Sequence, residues 1–237
     1  MSINFKGATT DHKSSLILTK GGNKKTLFNS TNLSANQEEF PIGALAFWKL
    51  DDLNDSSGNE NTFTNNNGVT FDTGKIGNAA VFQSTRWLGC NMAFNTATSN
   101  WSISLWLYPT SAPSNVNTFP IAGPNLGDHF ALQLLPDLRV GFGYYAEPDL
   151  YGQSNGLNVW THVVAVCTSG IIELFIDGIS VGTSTWTGAN DNNEIRLNTN
   201  FNDQVFNGKI DAVGLWHRAL TQPEITALYN NGNGLEP

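Results

Sequence analysis

Oxygen donors crowd one short stretch of the chain. Asp51-Asp52-Leu53-Asn54-Asp55-Ser56-Ser57-Gly58-Asn59-Glu60-Asn61 follows directly on the β-prone run Ala44–Leu50. Ca²⁺ takes about six to eight oxygens, roughly 2.3–2.6 Å away, from carboxylates, amides and carbonyls. This turn can supply several, with Asp52, Asp55 and Asn59 the leading candidates. It lacks the spacing of an EF-hand, and no helix flanks it. A further carboxylate, Asp211, lies in the run GKIDAVGLW, where strand alternation puts it on the face of Val213 and Leu215. A charge among apolar neighbours needs a counter-charge or several hydrogen bonds. The same residues also fit a metal-free arrangement, with Asx turns at Asp55 and Asn59 and Asp211 paired to an arginine or to backbone donors.

Catalytic arrangements are sparse. A retaining glycosidase needs two carboxylates about 5–5.5 Å apart, which on one strand face means residues i and i+2 or i+4. The nearest approach is Glu173-Leu-Phe-Ile-Asp177, and Asp177 belongs to an Asp-Gly hairpin turn, which leaves Glu173 alone. His12, His129, His162 and His217 are isolated. The chain has no Gly-x-Ser-x-Gly elbow, no paired cysteine ligands and no His-x-x-x-His cluster. These residues read as a non-enzyme.

Two loops are suited to sugars, whose apolar C–H faces and polar rims call for an aromatic platform beside short polar side chains. Residues 143–155, GYYAEPDLYGQSN, set Tyr144, Tyr145 and Tyr151 beside Glu147, Asp149 and Asn155. Residues 186–193, WTGANDNN, set Trp186 next to Asn190 and further amide or acid side chains. Either loop also fits a surface turn with its aromatics folded onto a sheet edge. Trp48, Trp101, Trp106, Trp160 and Trp216 sit in strand patterns and read as core.

The elements that must position these residues are short strands separated by Gly, Asn, Pro and Asp clusters. In WSISLWLY, Trp101, Ile103, Leu105 and Leu107 point one way while Ser102, Ser104, Trp106 and Tyr108 point the other. WTHVVAVCT and GIIELFI follow, and Asp177-Gly178 is a strong two-residue hairpin signal. Many strands without interleaved helices predict an all-β, two-sheet antiparallel sandwich. One short C-terminal helix is expected: Thr221-Gln-Pro-Glu224 is a capping box with Pro223 in the first turn, and Ile225, Leu228 and Tyr229 form an apolar stripe over one sandwich edge. Residues 1–42 form an N-terminal arm, with SSLILT and KTLFNST around a Gly-Gly-Asn turn and a linker over Asn36–Pro41. Residues 43–237 form the sandwich.

Only 14% of the 237 residues are charged, and the net charge is −8. The arm carries five lysines against three carboxylates, a net of +2, which leaves about −10 on the remainder. No basic face marks the chain for nucleic acid or anionic membrane. The first residues have no apolar h-region and no run approaches 18 apolar residues, so neither a signal peptide nor membrane insertion is expected. Cys90 and Cys167 fit one bridge or two buried thiols equally well.

Five blocks in order, from Ala44 to Tyr229, resemble the laminin-G-like, concanavalin A-like jelly-roll family with its pentraxin-related branch. They are ALAFWKLDD with DSSGNENT, GVTFDTGKIGNAAVF, WSISLWLYP, WTHVVAVCTSGIIELFIDGISVG, and FNGKIDAVGLWHRALTQPEITALY. The resemblance implies a jelly roll, often with a structural Ca²⁺ joining the first loop to the last strand, here Asp52, Asp55, Asn59 and Asp211. It also implies recognition of glycans or receptors on a cell surface. The whole chain reads as a non-catalytic module of a virion, of the phage-fibre or capsid-decoration type, at a virion surface or outside a cell. Residues 1–42 would dock on a neighbouring subunit and leave homo-oligomerisation open. A secreted or cell-surface adhesin and a polysaccharide-degrading enzyme are the alternatives.

Overall fold

The structure is a computed structural model. It describes residues 2–7, 14–20, 23–29, 39–97, 100–114, 117–123, 130–143, 148–186, 194–199 and 205–237. Two compact units divide between Glu39 and Phe40. In the first, β1 (Ser2–Gly7), β2 (Ser14–Lys20) and β3 (Asn23–Asn29) make an antiparallel sheet in that order. The sequence predicts only the hairpin of β2 and β3. The added strand pairs with β2 from Ser2↔Thr19 to Gly7↔Ser14 and supplies the third strand that an isolated hairpin needs for stability. The second unit begins at Phe40 rather than Gly43. Phe40 packs edge-on against Phe47, with centroids 4.8 Å apart, and the Pro41 carbonyl accepts from Trp216 Nε1 at 3.3 Å.

Two antiparallel sheets form the second unit. The strands before residue 110 are β4 (Ala46–Trp48), β5 (Thr64–Asn66), β6 (Thr70–Thr73), β7 (Asn78–Phe82), β8 (Trp87–Cys90) and β9 (Asn100–Pro109). Then come β10 (Thr118–Ala122), β11 (Ala131–Leu134), β12 (Arg139–Gly143) and β13 (Pro148–Gln153). The last are β14 (Thr161–Thr168), β15 (Ile171–Ile176), β16 (Ile179–Thr185), β17 (Ile195–Thr199) and β18 (Gly208–Trp216). One sheet has the order β13-β12-β11-β10-β17-β8-β5; the other runs β16-β15-β14-β9-β18-β7-β6, with β4 also on β18. The early strand β4 and the late strand β18 are therefore neighbours, as a jelly roll requires, and the all-β sandwich is confirmed.

The main core lies between the sheets. Trp101, Ile103, Leu105 and Leu107 of β9 face Leu132, Val140, Phe142 and Leu197 across it, so the alternation read in WSISLWLY holds. A second apolar layer covers the outer face of the eight-stranded sheet. Phe47, Trp106, Val164, Val166 and Trp216 meet Leu220, Ile225 and Leu228 of the C-terminal segment. The helix α1 (Gln222–Tyr229) covers a sheet face rather than an edge. Its start is held as predicted, because Glu224 Oε2 accepts from Thr221 N at 2.8 Å. The Asp177-Gly178 turn has φ of 52° and 78°, the paired left-handed geometry that such hairpins need. Cys90 and Cys167 are both buried thiols outside any disulfide, and burial pushes the Cys90 thiol up to about 11. Among the described residues no helix is long and apolar enough to cross a membrane.

Candidate functional site

The acidic turn is organised by its own backbone. Asp55 Oδ1 accepts from Phe47 N at 2.9 Å and Ser57 N at 2.8 Å, and Oδ2 from Ser57 Oγ at 2.8 Å and Asn61 N at 3.0 Å. Those four donors fill the lone-pair positions of a carboxylate. Partial burial works against its charge, yet the N–H groups of Phe47, Ser57 and Asn61 outweigh it and hold the carboxyl below its ordinary range. Asn59 Nδ2 donates to the carbonyls of Ala44 and Leu45, both at 3.1 Å. Asp52 is exposed and accepts from Asn54 N at 2.7 Å.

Asp211 is fully buried, but not beside Val213 and Leu215. Ala212 takes φ 48° and the pairing with β9 shifts between Asp211 and Gly214. This β-bulge inserts one residue and reverses the alternation, so Asp211 lies opposite Trp106 on the outer face. Its Oδ2 accepts from Lys75 N at 2.7 Å and Ile76 N at 3.0 Å. Oδ1 has no hydrogen-bond partner among the described residues. Burial, with the Glu236 carboxylate nearby, pushes Asp211 up to about 7, and burial does the same to Glu236. The expected Ca²⁺ quartet does not share one site: Asp52, Asp55 and Asn59 brace their own turn, and only Asp211 keeps a free buried oxygen. Among the described residues no group of three or more His, Cys, Asp or Glu side chains is placed to hold a metal ion. The predicted donor set, as placed, does not fit the ion.

Of the residues expected to meet a sugar, Tyr144, Tyr145, Asn190 and the side chain of Asp149 lie outside the described set. Trp186 is corrected: it is 5% exposed, packs against Trp101 and Phe142 at centroid distances of 5.9 and 5.8 Å, and donates from Nε1 to the Thr96 carbonyl at 2.9 Å. An indole of this size gains more from closing the core than from solvent. Asn155 is spent internally, donating to Asp177 Oδ2 at 2.6 Å and the Trp160 carbonyl at 2.9 Å. Tyr151 is the described candidate that stays open, at 50% exposure. It lies opposite Gly141 on β13, while Val140 and Phe142 of β12 face the core. Alternation therefore puts its ring on the outer face of the seven-stranded sheet. The Arg139 guanidinium lies 3.9 Å from the ring centroid and bonds Asp137 at 2.6 Å.

A family model of the concanavalin A-like lectin/glucanases superfamily matches residues 82–226, more than half of the chain. The chain belongs to that superfamily. It is similar to domain 4 of AbnA, an extracellular GH43 arabinanase from Geobacillus stearothermophilus solved with arabinotriose. That likeness has 25% identity and a TM-score of 0.59, over 78% of this chain and 97% of that one. It is also similar to the ligand-binding domain of botulinum neurotoxin serotype D, solved with N-acetylneuraminic acid, at 14% identity and TM-score 0.65. The binding domain of botulinum neurotoxin DC, solved with rat synaptotagmin II, gives 17% and 0.67. Both toxin matches cover 80% of this chain and 51% of the other. The chain thus spans about half of these toxin domains, and they show the shared fold alone. No curated protein sequence matches the chain.

A second arginine–aromatic pair lies on the same sheet, at residues whose types alone do not mark a site. Arg196 of β17 sits 4.5 Å from the Trp87 ring of β8 and bonds Glu194 Oε2 at 2.7 Å. Trp87 has room because its neighbour is glycine: a Cβ on Gly89 would lie 2.5 Å from the indole and 2.9 Å from Glu194 Oε1. The signal was Asp137-x-Arg139 and Glu194-x-Arg196, each an acid and a base two apart at the start of a strand, where alternation gives them one face. The acid pair weighed for catalysis has other work. Asp177 accepts from His162 N at 2.8 Å, and Glu173 from the Ser180 hydroxyl. His162 is buried beneath α1, 3.0 Å from Ser104 Oγ, and burial pushes it down to about 3.

Proposed function

We propose that this chain is a non-catalytic glycan-recognition module whose ligand meets the outer face of the seven-stranded sheet, where Tyr151 is open. The observation that carries this reading is the likeness to the arabinanase domain, matched over 97% of its length and solved with arabinotriose. Tyr151 supports it with a half-exposed ring braced by Arg139, an apolar surface held at a fixed angle beside polar groups. A virion surface, with a host-cell glycan as the receptor, is the setting we favour. The separate sheet of β1–β3 supports it: a small unit, distinct from the recognition domain, is what docking on a neighbouring subunit asks for. A glycan array with the intact chain tests the first half, and a Tyr151→Ala variant must lose the signal. An array without hits, or hits that Tyr151→Ala leaves unchanged, would count against it. Size-exclusion with and without residues 1–39 tests the second half, since a docking arm changes the oligomeric state.

A further inference from the structure

Building on the glycan reading, we infer that the ligand class is an uncharged oligosaccharide, met at two arginine–aromatic stations on the outer face of the seven-stranded sheet. The seven strands of this sheet contain just two cationic residues, Arg139 and Arg196. Each is closed on its own carboxylate, Asp137 at 2.6 Å and Glu194 at 2.7 Å, and each lies over an aromatic ring, Tyr151 or Trp87. The unit repeats with the same three parts at positions the topology makes unrelated.

Charge decides the class. A uronic or sialic acid gains affinity from a free guanidinium, which pairs with carboxylate in a bidentate fork. Here both guanidinium groups are already neutralised, and the chain carries −8 overall, so an anionic ligand approaches a neutral pair against a repulsive field. A neutral sugar suits the same pair. Each hydroxyl both donates and accepts, so adjacent hydroxyls can take an N–H from the arginine and give a proton to the carboxylate. The aromatic ring meets the C–H face.

The two stations are separate. Tyr151 lies on β13 and Trp87 on β8, five strand spacings apart in the sheet order, or about 24 Å at the usual separation. Phe119, Ala122 and Ala131 are buried between them.

Titration calorimetry on the intact chain with arabinotriose, galactotriose and trigalacturonic acid tests the assignment. The neutral trisaccharides should bind with less than about twofold change between roughly 50 and 500 mM NaCl, because no net charge is screened. Trigalacturonic acid should bind about tenfold more weakly than galactotriose, and Asp137→Asn or Glu194→Gln, by freeing a guanidinium, should close that gap about fivefold. Tyr151→Ala and Trp87→Ala should each weaken neutral binding, with thermal midpoints reported alongside to separate a lost station from a lost fold. Trigalacturonic acid binding as tightly as galactotriose, or steep salt dependence, overturns the inference while the glycan reading stands. Failure of all three sugars sinks both.

Discussion

Arg139 and Tyr151 meet diagonally across β12 and β13, with the guanidinium carbon 3.9 Å from the ring centroid. Neither residue is in the core, and Asp137 closes the arginine from the other side. An exposed cation–π contact and an exposed ion pair each contribute little, because water screens both charges. The trio is a weak source of stability, so its fixed geometry is better explained by what it presents to solvent. Tyr151→Ala should therefore shift the thermal midpoint by only about 2–4 °C while weakening glycan binding about tenfold or more. A midpoint loss of about 10 °C with binding retained would make Tyr151 a structural residue.

Trp186 is the opposite case. It closes the core beside Trp101 and Phe142 and bonds the Thr96 carbonyl. Trp186→Ala should cost about 3–5 kcal/mol in urea unfolding, and Trp186→Phe about half of that, because it keeps most of the packing but loses the N–H donor. Full stability in Trp186→Ala would return the residue to the list of binding candidates.

The contrast shows what the sequence made legible. Alternation in β9 assigned the two faces of that strand correctly, because it runs unbroken. The jelly roll followed from five ordered blocks. Two things lay beyond pattern reading. The bulge at Asp211–Ala212 moved a carboxylate to the other face, and bulges carry no reliable sequence mark. Trp186 follows β16, and whether such an aromatic turns inward depends on the space left by Trp101 and Phe142 across the sandwich. The acidic turn was located correctly, but its residue types fit an ion and an Asx network equally well, and only the positions of the Phe47, Ser57 and Asn61 amides separate the two.

Asp55 should accordingly matter through those amides. Asp55→Ala leaves Phe47 N, Ser57 N and Asn61 N without their acceptor, at a cost of about 2–4 kcal/mol, and Asp55→Asn should retain part of the stability. Since the folded carboxyl lies below its ordinary range, its contribution is fully present above pH 4 or so and fades as acid protonates it. Equal stability of Asp55→Ala and the parent in denaturant would remove the bracing role.

The two buried carboxyls near the C-terminus should act with the opposite sign. Asp211 and Glu236 are both pushed up to about 7 in the folded chain, so between the ordinary carboxylate range and about pH 7 the folded state holds protons that the unfolded state has released. Their contribution is complete below the unfolded values and is lost as pH rises towards 7. In EGTA the thermal midpoint should therefore decline from about pH 5.5 to 8, and Asp211→Asn should flatten the decline, since an amide needs no proton to stay neutral there. His162, pushed down to about 3 by burial, works the other way: its contribution fades as pH falls from about 6.5, so the slope is read as the difference between parent and Asp211→Asn. A parent midpoint that climbs with pH relative to the variant would show Asp211 ionised in the fold. Recovery of the midpoint at pH 8 by added Ca²⁺ would instead place a cation against its free Oδ1 and revive the ion that the acidic turn first suggested.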